Sequence, residues 1–174
     1  VGQARRPGSY TVSSLSTIVN AVFAAGGPSE NGSMRHIQLK RHNKVVTEFD
    51  LYDLLLHGDK SRDVPLQAGD VLYFPPTGSL VAISGGVKIP AIYELKGQEA
   101  SLQDLISWAG GLASTAAPSR LTVERLDGSK ARRVEEFSMD EAGRGRSIVD
   151  GDVVTVFSIA PRFTNDVSLK GFVA

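Results

Sequence analysis

The residues best placed for acid and base chemistry form two Gly-Asp pairs. Gly69-Asp70 and Gly151-Asp152 each stand directly before a short apolar run. Two carboxylates that a fold brings together can act as general acid and general base. The alternative is a pair of turns, in which glycine takes a positive φ and aspartate accepts hydrogen bonds from backbone N–H groups. Because the pairs are copies of each other in separate parts of the chain, we expect turns and no catalytic residues.

Metal and nucleophile chemistry has few candidates in this sequence. The 174 residues include no cysteine and three histidines, His36, His42 and His57. None of these histidines stands at metal-ligand spacing from a carboxylate or a second histidine on one helix face. The sequence contains neither a Gly-x-Ser-x-Gly elbow nor a phosphate-binding Gly-Lys-Ser or Gly-Lys-Thr. We therefore expect no metal, no cofactor and no enzymatic activity.

A basic segment supplies the first candidate ligand-binding residues. Arg35, His36, Lys40, Arg41 and Lys44 fall within ten residues on a predicted hairpin. They could present a cationic strip to an anionic sugar or to a neighbouring subunit. An ordinary solvated hairpin, whose charges protect the edge of a sheet, explains the same residues. Both interpretations stay open at this point.

A repeated tyrosine supplies the second set of candidates. Tyr10 and Tyr93 stand at equivalent places in two similar segments. An aromatic face there could stack on a sugar ring, but a tyrosine that packs against a helix would recur for the same reason. The ligand-binding residues therefore remain unknown, with Arg35, Lys40, Arg41, Lys44, Tyr10 and Tyr93 as candidates.

The composition excludes several classes of protein. Lys plus Arg and Asp plus Glu each number 19, so the formal net charge is zero. A neutral chain lacks the broad cationic surface of a nucleic-acid-binding protein, and we expect no nucleic acid partner. Hydrophobic residues at 41% and charged residues at 22% are typical of a folded domain. No apolar run approaches the roughly 18 residues of a membrane span.

An internal repeat organises the chain. Gly2, Pro7 and Tyr10 recur as Gly85, Pro90 and Tyr93, in the same order. The later matches are Ala25-Gly26-Gly27 with Ala109-Gly110-Gly111, Ile37, Leu39 and Arg41 with Leu121, Val123 and Arg125, and Gly69-Asp70-Val71 with Gly151-Asp152-Val153. Such self-similarity predicts tandem copies of one structural unit. We predict a first unit over residues 1–78, a second over 79–160, and the start of a truncated third copy over 161–174.

The third copy is predicted from the end of the sequence, where Leu169-Lys170-Gly171 matches Ile83-Ser84-Gly85. We expect residues 167–173 to be extended and paired with a sheet. Since the sequence opens inside one copy and stops inside another, we also expect it to be an excised part of a longer protein.

The same fold is predicted for both units. Each has a hairpin, a helix with a Gly-Gly C-cap, two antiparallel strands and a last strand after the Gly-Asp turn. The predicted hairpins are 2–12 and 85–95, the helices 16–25 and 101–109, the paired strands 36–41 with 45–49 and 120–125 with 131–134, and the last strands 71–74 and 153–157. These patterns predict an α+β fold of two tandem β-grasp-like units, each a small mixed sheet covered by one main helix.

A family resemblance rests on two stretches of the first unit. They are Val1-Gly2-x-x-x-Arg6-Pro7-Gly8-Ser9-Tyr10 with the helix end Ala24-Ala25-Gly26-Gly27, and Asp50-Leu51-Tyr52-Asp53-Leu54-Leu55 followed by Leu66 to Pro76. The chain resembles the outer-membrane polysaccharide export proteins, which carry tandem soluble-ligand-binding β-grasp (SLBB) domains. The second unit departs from the pattern at Ile89-Pro90-Ala91, and its Asp-Leu helix is reduced to Glu136-Phe137-Ser138.

The resemblance implies a function in capsule or exopolysaccharide export. It implies a periplasmic, ring-forming structural segment without catalysis, in a parent protein anchored in the outer membrane of a Gram-negative bacterium. The implied partners are the polysaccharide, other copies of the parent protein and an inner-membrane chain-length or export protein. We expect the chain alone to be monomeric or weakly associating, because small interfaces rarely hold alone. The alternative is a module that binds a soluble small ligand, either a cofactor such as a cobalamin or an oligosaccharide.

Overall fold

The computed structural model describes residues 1–126 and 131–159, and its elements fall into two groups along the chain. The first group is α1 (Ile18–Ala24), β1 (Ile37–Arg41), β2 (Lys44–Phe49), α2 (Leu51–His57) and β3 (Val71–Tyr73). The second group is β4 (Leu80–Gly85), β5 (Ala91–Glu94), β6 (Glu99–Ser101), α3 (Leu102–Trp108), β7 (Ala116–Leu126), β8 (Arg132–Phe137), α4 (Glu141–Arg144), β9 (Ser147–Val149) and β10 (Val153–Ser158). The predicted α+β fold is confirmed.

The first group forms a three-stranded antiparallel sheet in the order β2-β1-β3. Ile37 and Leu39 of β1 are fully buried and lie in one hydrophobic cluster with Ile18 of α1. The β1–β2 turn is at His42 and Asn43, between the predicted strands 36–41 and 45–49, and both residues have a positive φ, of 49° and 60°. Two such residues in succession are typical of the type I′ hairpin turn.

The second group forms a five-stranded mixed sheet in the order β5-β4-β10-β7-β8. Strand β10 is parallel to β4 and antiparallel to β7, and β5 and β8 are the edge strands. Helix α3 contributes Leu102, Leu105 and Ile106 to the core of this unit. A separate short ladder joins β6 to β9.

The two helix ends confirm the predicted Gly-Gly caps. The Gly27 N–H donates to the Val22 carbonyl at 2.8 Å, and the Gly111 N–H donates to the Ile106 carbonyl at 2.8 Å. The glycines have positive φ values of 76° and 92°, which a residue without Cβ adopts freely. The same Gly-Gly capping hydrogen bond therefore marks the C-terminal end of both α1 and α3.

A parallel contact at Gly2 in the first unit corresponds to the β4–β10 pairing in the second. Gly2 forms a parallel bridge with Phe74, and Gly85 pairs in parallel with Val156. Both glycines have a positive φ, of 75° and 82°. A Cβ on either would collide with the carbonyl oxygen of its partner. This close approach of two backbones explains why glycine recurs at the start of each copy.

Two predictions about local structure are wrong. Residues 2–12 form no hairpin and contribute isolated bridges at Gly2 and Ala4. The second-unit hairpin pairs β4 with β5, so its first strand begins before the predicted range 85–95 and ends at Gly85. The reduced helix is also not at residues 136–138, where β8 ends, but at α4. The N-cap of α4 is Asp140, whose side chain accepts a hydrogen bond from the Gly143 N–H.

Two predicted segments lie outside the described residues. They are the connection between the predicted strands 120–125 and 131–134, at residues 127–130, and the truncated third copy over 161–174 with its extended segment at 167–173. Both stay predictions.

Candidate functional site

Both Gly-Asp pairs form turns in which the aspartate binds an arginine of a neighbouring strand. Arg41 donates to Asp70 through Nε and Nη2 at 2.7 and 2.8 Å. Arg125 donates to Asp152 in the same way at 2.8 and 2.6 Å. Each aspartate also accepts a hydrogen bond from the backbone N–H three residues before it. The hydrogen bond from Arg41 holds the pKa of the Asp70 carboxyl below its usual value.

Arg35 is buried between the two units and does not lie on an exposed strip. Its side chain is 3% exposed, its Nε donates to the Glu94 carbonyl at 2.6 Å, and its Nη1 pairs with Asp50 at 3.3 Å. The guanidinium carbon lies 3.8 Å from the ring centroid of Tyr52 and 4.3 Å from that of Trp108. Two aromatic faces and a carboxylate thus compensate the buried charge.

Glu94, at the end of β5, completes this junction. Its carboxylate accepts hydrogen bonds from the backbone N–H groups of Met34 at 2.8 Å and Gly78 at 2.9 Å. Its own N–H donates to the Tyr52 hydroxyl at 3.0 Å. Burial raises the pKa of Tyr52 and so keeps this hydroxyl neutral. We call Arg35, Asp50, Tyr52, Glu94 and Trp108 the inter-unit junction.

The β1–β2 hairpin of the first unit presents cations that have no carboxylate partner. The Lys40 Nζ lies 4.4 Å from the centroid of the Tyr73 ring on β3. Gln38 stands opposite Tyr73 in the β1–β3 ladder, and Lys44 is exposed just beyond the turn. Within residues 1–126 and 131–159, neither lysine has a carboxylate within ion-pair distance. In the β1–β2 ladder Lys40 pairs with Val45 and Arg41 pairs with Lys44, so the two lysines lie on opposite faces of the hairpin. We call Gln38, Lys40 and Tyr73 the hairpin face.

The corresponding face of the second unit neutralises its own charges. Glu124 stands opposite Val153 in β10, as Lys40 stands opposite Val71 in β3. Glu124 pairs with Arg132 at 3.1 Å. Further ion pairs of strands β7 and β8 include Arg120 with Glu136 at 3.0 Å and Arg133 with Glu135 at 2.9 Å. The position of Tyr73 is taken by Thr155.

The two repeated tyrosines make the same local hydrogen bond in different surroundings. The Tyr10 hydroxyl donates to the Arg6 carbonyl at 2.5 Å, and the Tyr93 hydroxyl donates to the Ile89 carbonyl at 2.9 Å. Tyr93 is 8% exposed and meets Tyr52 edge to face, with ring centroids 6.3 Å apart. Tyr10 is 45% exposed. Tyr93 therefore packs in the core, and Tyr10 is accessible to a ligand.

A cleft of about 920 Å³ lies beside Tyr10. The segment around Tyr10, helix α1 and the residues before β3 line it. In the second unit, β4 lies between β5 and β10, and its Val81 and Ile83 are buried.

The structure therefore separates the predicted site residues. Burial removes Arg35 and Tyr93 from contact with a ligand, and Arg41 is engaged by Asp70. Lys40 lies beside Tyr73, Lys44 lies on the opposite face of the hairpin, and Tyr10 lies at the cleft. Tyr73 and Glu94 were not among the predicted site residues. The sequence does hold a signal for Tyr73, because the strand that follows the Gly69-Asp70 turn contains it. That strand, β3, pairs with β1 and places Tyr73 opposite Gln38.

The described residues show neither a metal site nor a helix that could span a membrane. Residues 1–126 and 131–159 contain no group of three or more His, Asp or Glu residues that could hold a metal ion. Among the helices of the same residues, none has both the length and the apolar character that crossing a membrane requires.

Comparison with known families assigns the repeat. The family model of the SLBB domain matches residues 1–50 and 80–134, which together make up more than half of the chain. The chain belongs to the SLBB domain family. The matches fall in both copies of the repeat, one in each.

The chain is also similar to a named transport protein. Two curated sequences from Escherichia coli, both called polysialic acid transport protein KpsD, are 26% identical to it over 171 residues. The alignment covers 98% of this chain and 30% of each relative, so the chain spans less than a third of their length. The predicted resemblance to polysaccharide export proteins is confirmed.

Proposed function

We propose that the chain is a non-enzymatic segment of a polysaccharide export protein. The similarity to KpsD over 98% of the chain carries this proposal, since polysialic acid is a polysaccharide and the name of the relative describes its transport. We place the segment in the periplasm, in a parent protein anchored in the outer membrane. We divide it into two repeat units at residues 1–78 and 79–160.

The inter-unit junction supports a structural role within this function. A ring of copies around the path of a polymer needs subunits that keep their shape. Arg35 and Glu94 link the two units through hydrogen bonds and ring contacts from both sides. Removing one partner of such a buried network is costly, at about 3–5 kcal/mol. We propose that copies of the parent protein assemble in a ring and meet an inner-membrane export partner there.

Deletion of residues 1–159 from the parent protein, in its own bacterium, tests the function. We expect polysaccharide to disappear from the cell surface while its synthesis continues, as measured by surface labelling against total cellular polymer. Normal surface polysaccharide after the deletion would contradict the proposal.

A substitution tests the structural role separately. We expect Arg35→Ala in the parent protein to reduce surface polysaccharide several-fold at equal protein level, because the two units lose their fixed relation. Arg120→Ala is the matched control, since it removes an arginine from an exposed ion pair with Glu136. Equal effects of the two substitutions would argue against a role for the junction.

A soluble-ligand module is the second candidate function, and the cleft beside Tyr10 is the observation that favours it. Calorimetric titration of the chain with a cobalamin and with capsular oligosaccharides separates the two functions. Saturable micromolar binding of the cobalamin, without any binding of the sugars, would favour the ligand module. The similarity to KpsD over 98% of the chain leads us to favour the export function.

A further inference from the structure

Each unit has a row of side chains across the outer face of its sheet, and the centres of the two rows carry opposite charges. We propose that the row of the first unit packs against the row of the second unit in another copy of this chain. This proposal rests on the ring assembly proposed above and names the two surfaces through which neighbouring copies meet.

The first row consists of Val71, Lys40 and Val45. Lys40 stands opposite Val71 in the β1–β3 ladder and opposite Val45 in the β1–β2 ladder, so the three side chains lie on one face of the sheet. That face is turned away from the core, because the neighbouring Leu39 of β1 is fully buried. Both valines are exposed. A lysine between two exposed valines is thus the centre of the first row.

The second row has the same arrangement around a glutamate. Glu124 stands opposite Val153 in the β7–β10 ladder and opposite Val134 in the β7–β8 ladder. The row continues through Ala82, opposite Val153, to Ile92, opposite Ala82. Val134, Val153 and Ile92 are exposed, whereas alternate residues of the same strands fill the core. A glutamate between two exposed valines is thus the centre of the second row.

The apolar members of both rows indicate a contact surface. On the solvent side of a sheet, polar residues normally alternate with the buried apolar ones. Ile92, Ala82 and Val153 instead form a continuous apolar strip over three neighbouring strands. Exposed apolar groups that adjoin each other are typical of interaction surfaces. Val71 and Val45 of the first row offer matching apolar groups.

The central charges determine which rows can meet. If the first rows of two copies met, Lys40 would face Lys40, and if the second rows met, Glu124 would face Glu124. Like charges opposite each other in an interface are unfavourable and exclude both pairings. Lys40 opposite Glu124 brings opposite charges together and leaves valines facing valines on both sides. The occupant of each row is therefore the unlike row of a second copy.

The present contacts of the two central charges allow this pairing. The Lys40 Nζ lies 4.4 Å from the centroid of the Tyr73 ring, a contact that leaves its N–H donors available to a carboxylate. Glu124 pairs with Arg132 at 3.1 Å, and the arginine side chain is largely exposed. Such an exposed ion pair contributes little, and a carboxylate has room for a second donor.

Other charges of the same faces lie in neighbouring rows. Glu48 shares the face of Lys40 but stands opposite Gln38, and its carboxylate lies 2.9 Å from His36 Nδ1. On the second unit, Arg120 pairs with Glu136 at 3.0 Å. These groups have partners within their own unit, and the pairing of the two rows requires none of them.

The contact has a direction, because it joins the first unit of one copy to the second unit of the next. Such a heterologous contact leaves one row of each end copy free, so copies can be added until the rotation between them closes a ring. Each copy contributes one sheet face, and an interface of that size holds isolated chains together only weakly.

Charge reversal in the complete chain tests the contact. Sedimentation velocity and backbone amide chemical shifts at chain concentrations up to about 1 mM detect a weak association. We expect shifts that grow with concentration in β1 to β3 of the first unit and in β7, β8 and β10 of the second. Lys40→Glu and Glu124→Lys should each weaken the association about tenfold.

Mixing the two variants gives the sharpest result. The reversed first row of Lys40→Glu then faces the reversed second row of Glu124→Lys, so we expect the mixture to associate although neither variant does so alone. A chain that carries both reversals should also associate. Restored association shows at the same time that the variants are folded.

Lys44→Glu is the matched control. It makes the same change of charge in the same hairpin, but on the opposite face, and it should leave the affinity unchanged. Lys40→Gln removes the attraction without adding a repulsion, so it should weaken the association less than Lys40→Glu does.

Three outcomes would overturn the proposal. The first is equal weakening by Lys40→Glu and Lys44→Glu, which would show an effect of overall charge. The second is a mixture of Lys40→Glu and Glu124→Lys that stays monomeric where the unmodified chain associates. The third is no association of the unmodified chain at about 1 mM. The deletion experiment on polysaccharide export is independent of all three, so these surfaces can fail while the proposed function stands.

Discussion

Matched residues of the two units differ in burial. In the second unit, β4 lies between β5 and β10 and buries Val81 and Ile83. In the first unit, residues 1–17 make isolated bridges at Gly2, Ala4 and Thr17. Val12 is 39% exposed, but its counterpart Leu95 is 1% exposed. One repeated sequence pattern thus places matched residues in different surroundings.

A residue that recurs in both units can be buried in one and exposed in the other. Tyr10 and Tyr93 keep the same hydrogen bond to the carbonyl four residues before them. The hydrogen bond defines the local turn in both, but burial depends on β4 and on the neighbouring unit. The same substitution at matched positions of the two units should therefore change the free energy of unfolding by very different amounts.

The largest difference is expected at the two tyrosines. Tyr93→Ala should destabilise the protein by about 4 kcal/mol, because it empties a buried aromatic site against Tyr52 and Trp108. Tyr10→Ala should cost less than about 1 kcal/mol, since the ring is nearly half exposed. Urea unfolding followed by tryptophan fluorescence measures both. Similar costs would show that the cleft is closed in solution.

A smaller difference is expected at the two repeat glycines. Gly85→Ala should destabilise the second unit by about 3 kcal/mol, because the new methyl group meets the Val156 carbonyl within a four-residue parallel ladder. Gly2→Ala should cost about 1 kcal/mol, since Gly2 pairs with Phe74 in an isolated bridge that can shift. The free energies of unfolding in urea decide the point. A larger cost at Gly2 would reverse the comparison.

The smallest predicted effect is on the loss of stability at low pH, to which the Arg41–Asp70 pair contributes. The pKa of Asp70 is lowered by Arg41, so the folded state releases this proton more readily than the unfolded chain does. The resulting stability is complete above the ordinary carboxyl pKa of about 4 and is lost as the pH falls through the lowered value. Asp70→Asn and Arg41→Gln should both flatten the fall in stability below about pH 4. Unfolding curves measured from pH 7 to pH 2 would contradict this if both variants follow the unmodified protein.

The order of elements was predictable because the repeat supplies each assignment twice. The helix ends at Gly26-Gly27 and Gly110-Gly111 and the turn at His42-Asn43 follow from backbone demands that few residue types meet. The position of α4 was missed because Asp140, its N-cap, has no apolar run after it comparable to Leu51–Leu56. Local patterns identify elements when strong capping and burial signals coincide.

The candidate site was predictable only in part, because burial between units leaves no local signal. Lys40 and Lys44 were found from charge density alone. Arg35 has the same charge and is close in sequence, but Glu94, Tyr52 and Trp108 surround it from elements far apart in the chain. The position of Arg35 therefore depends on how the two units meet, which no periodicity describes.

The inter-unit junction also has a mechanical consequence. Ser119 stands where the repeat of the first unit has Arg35, so this position of the second unit offers no guanidinium for a junction of the same kind. A force on the first unit reaches β5 and α3 through the contacts of the Arg35 guanidinium with Glu94 and Trp108. Compliance in a longer array of such units would depend on which copies carry the arginine.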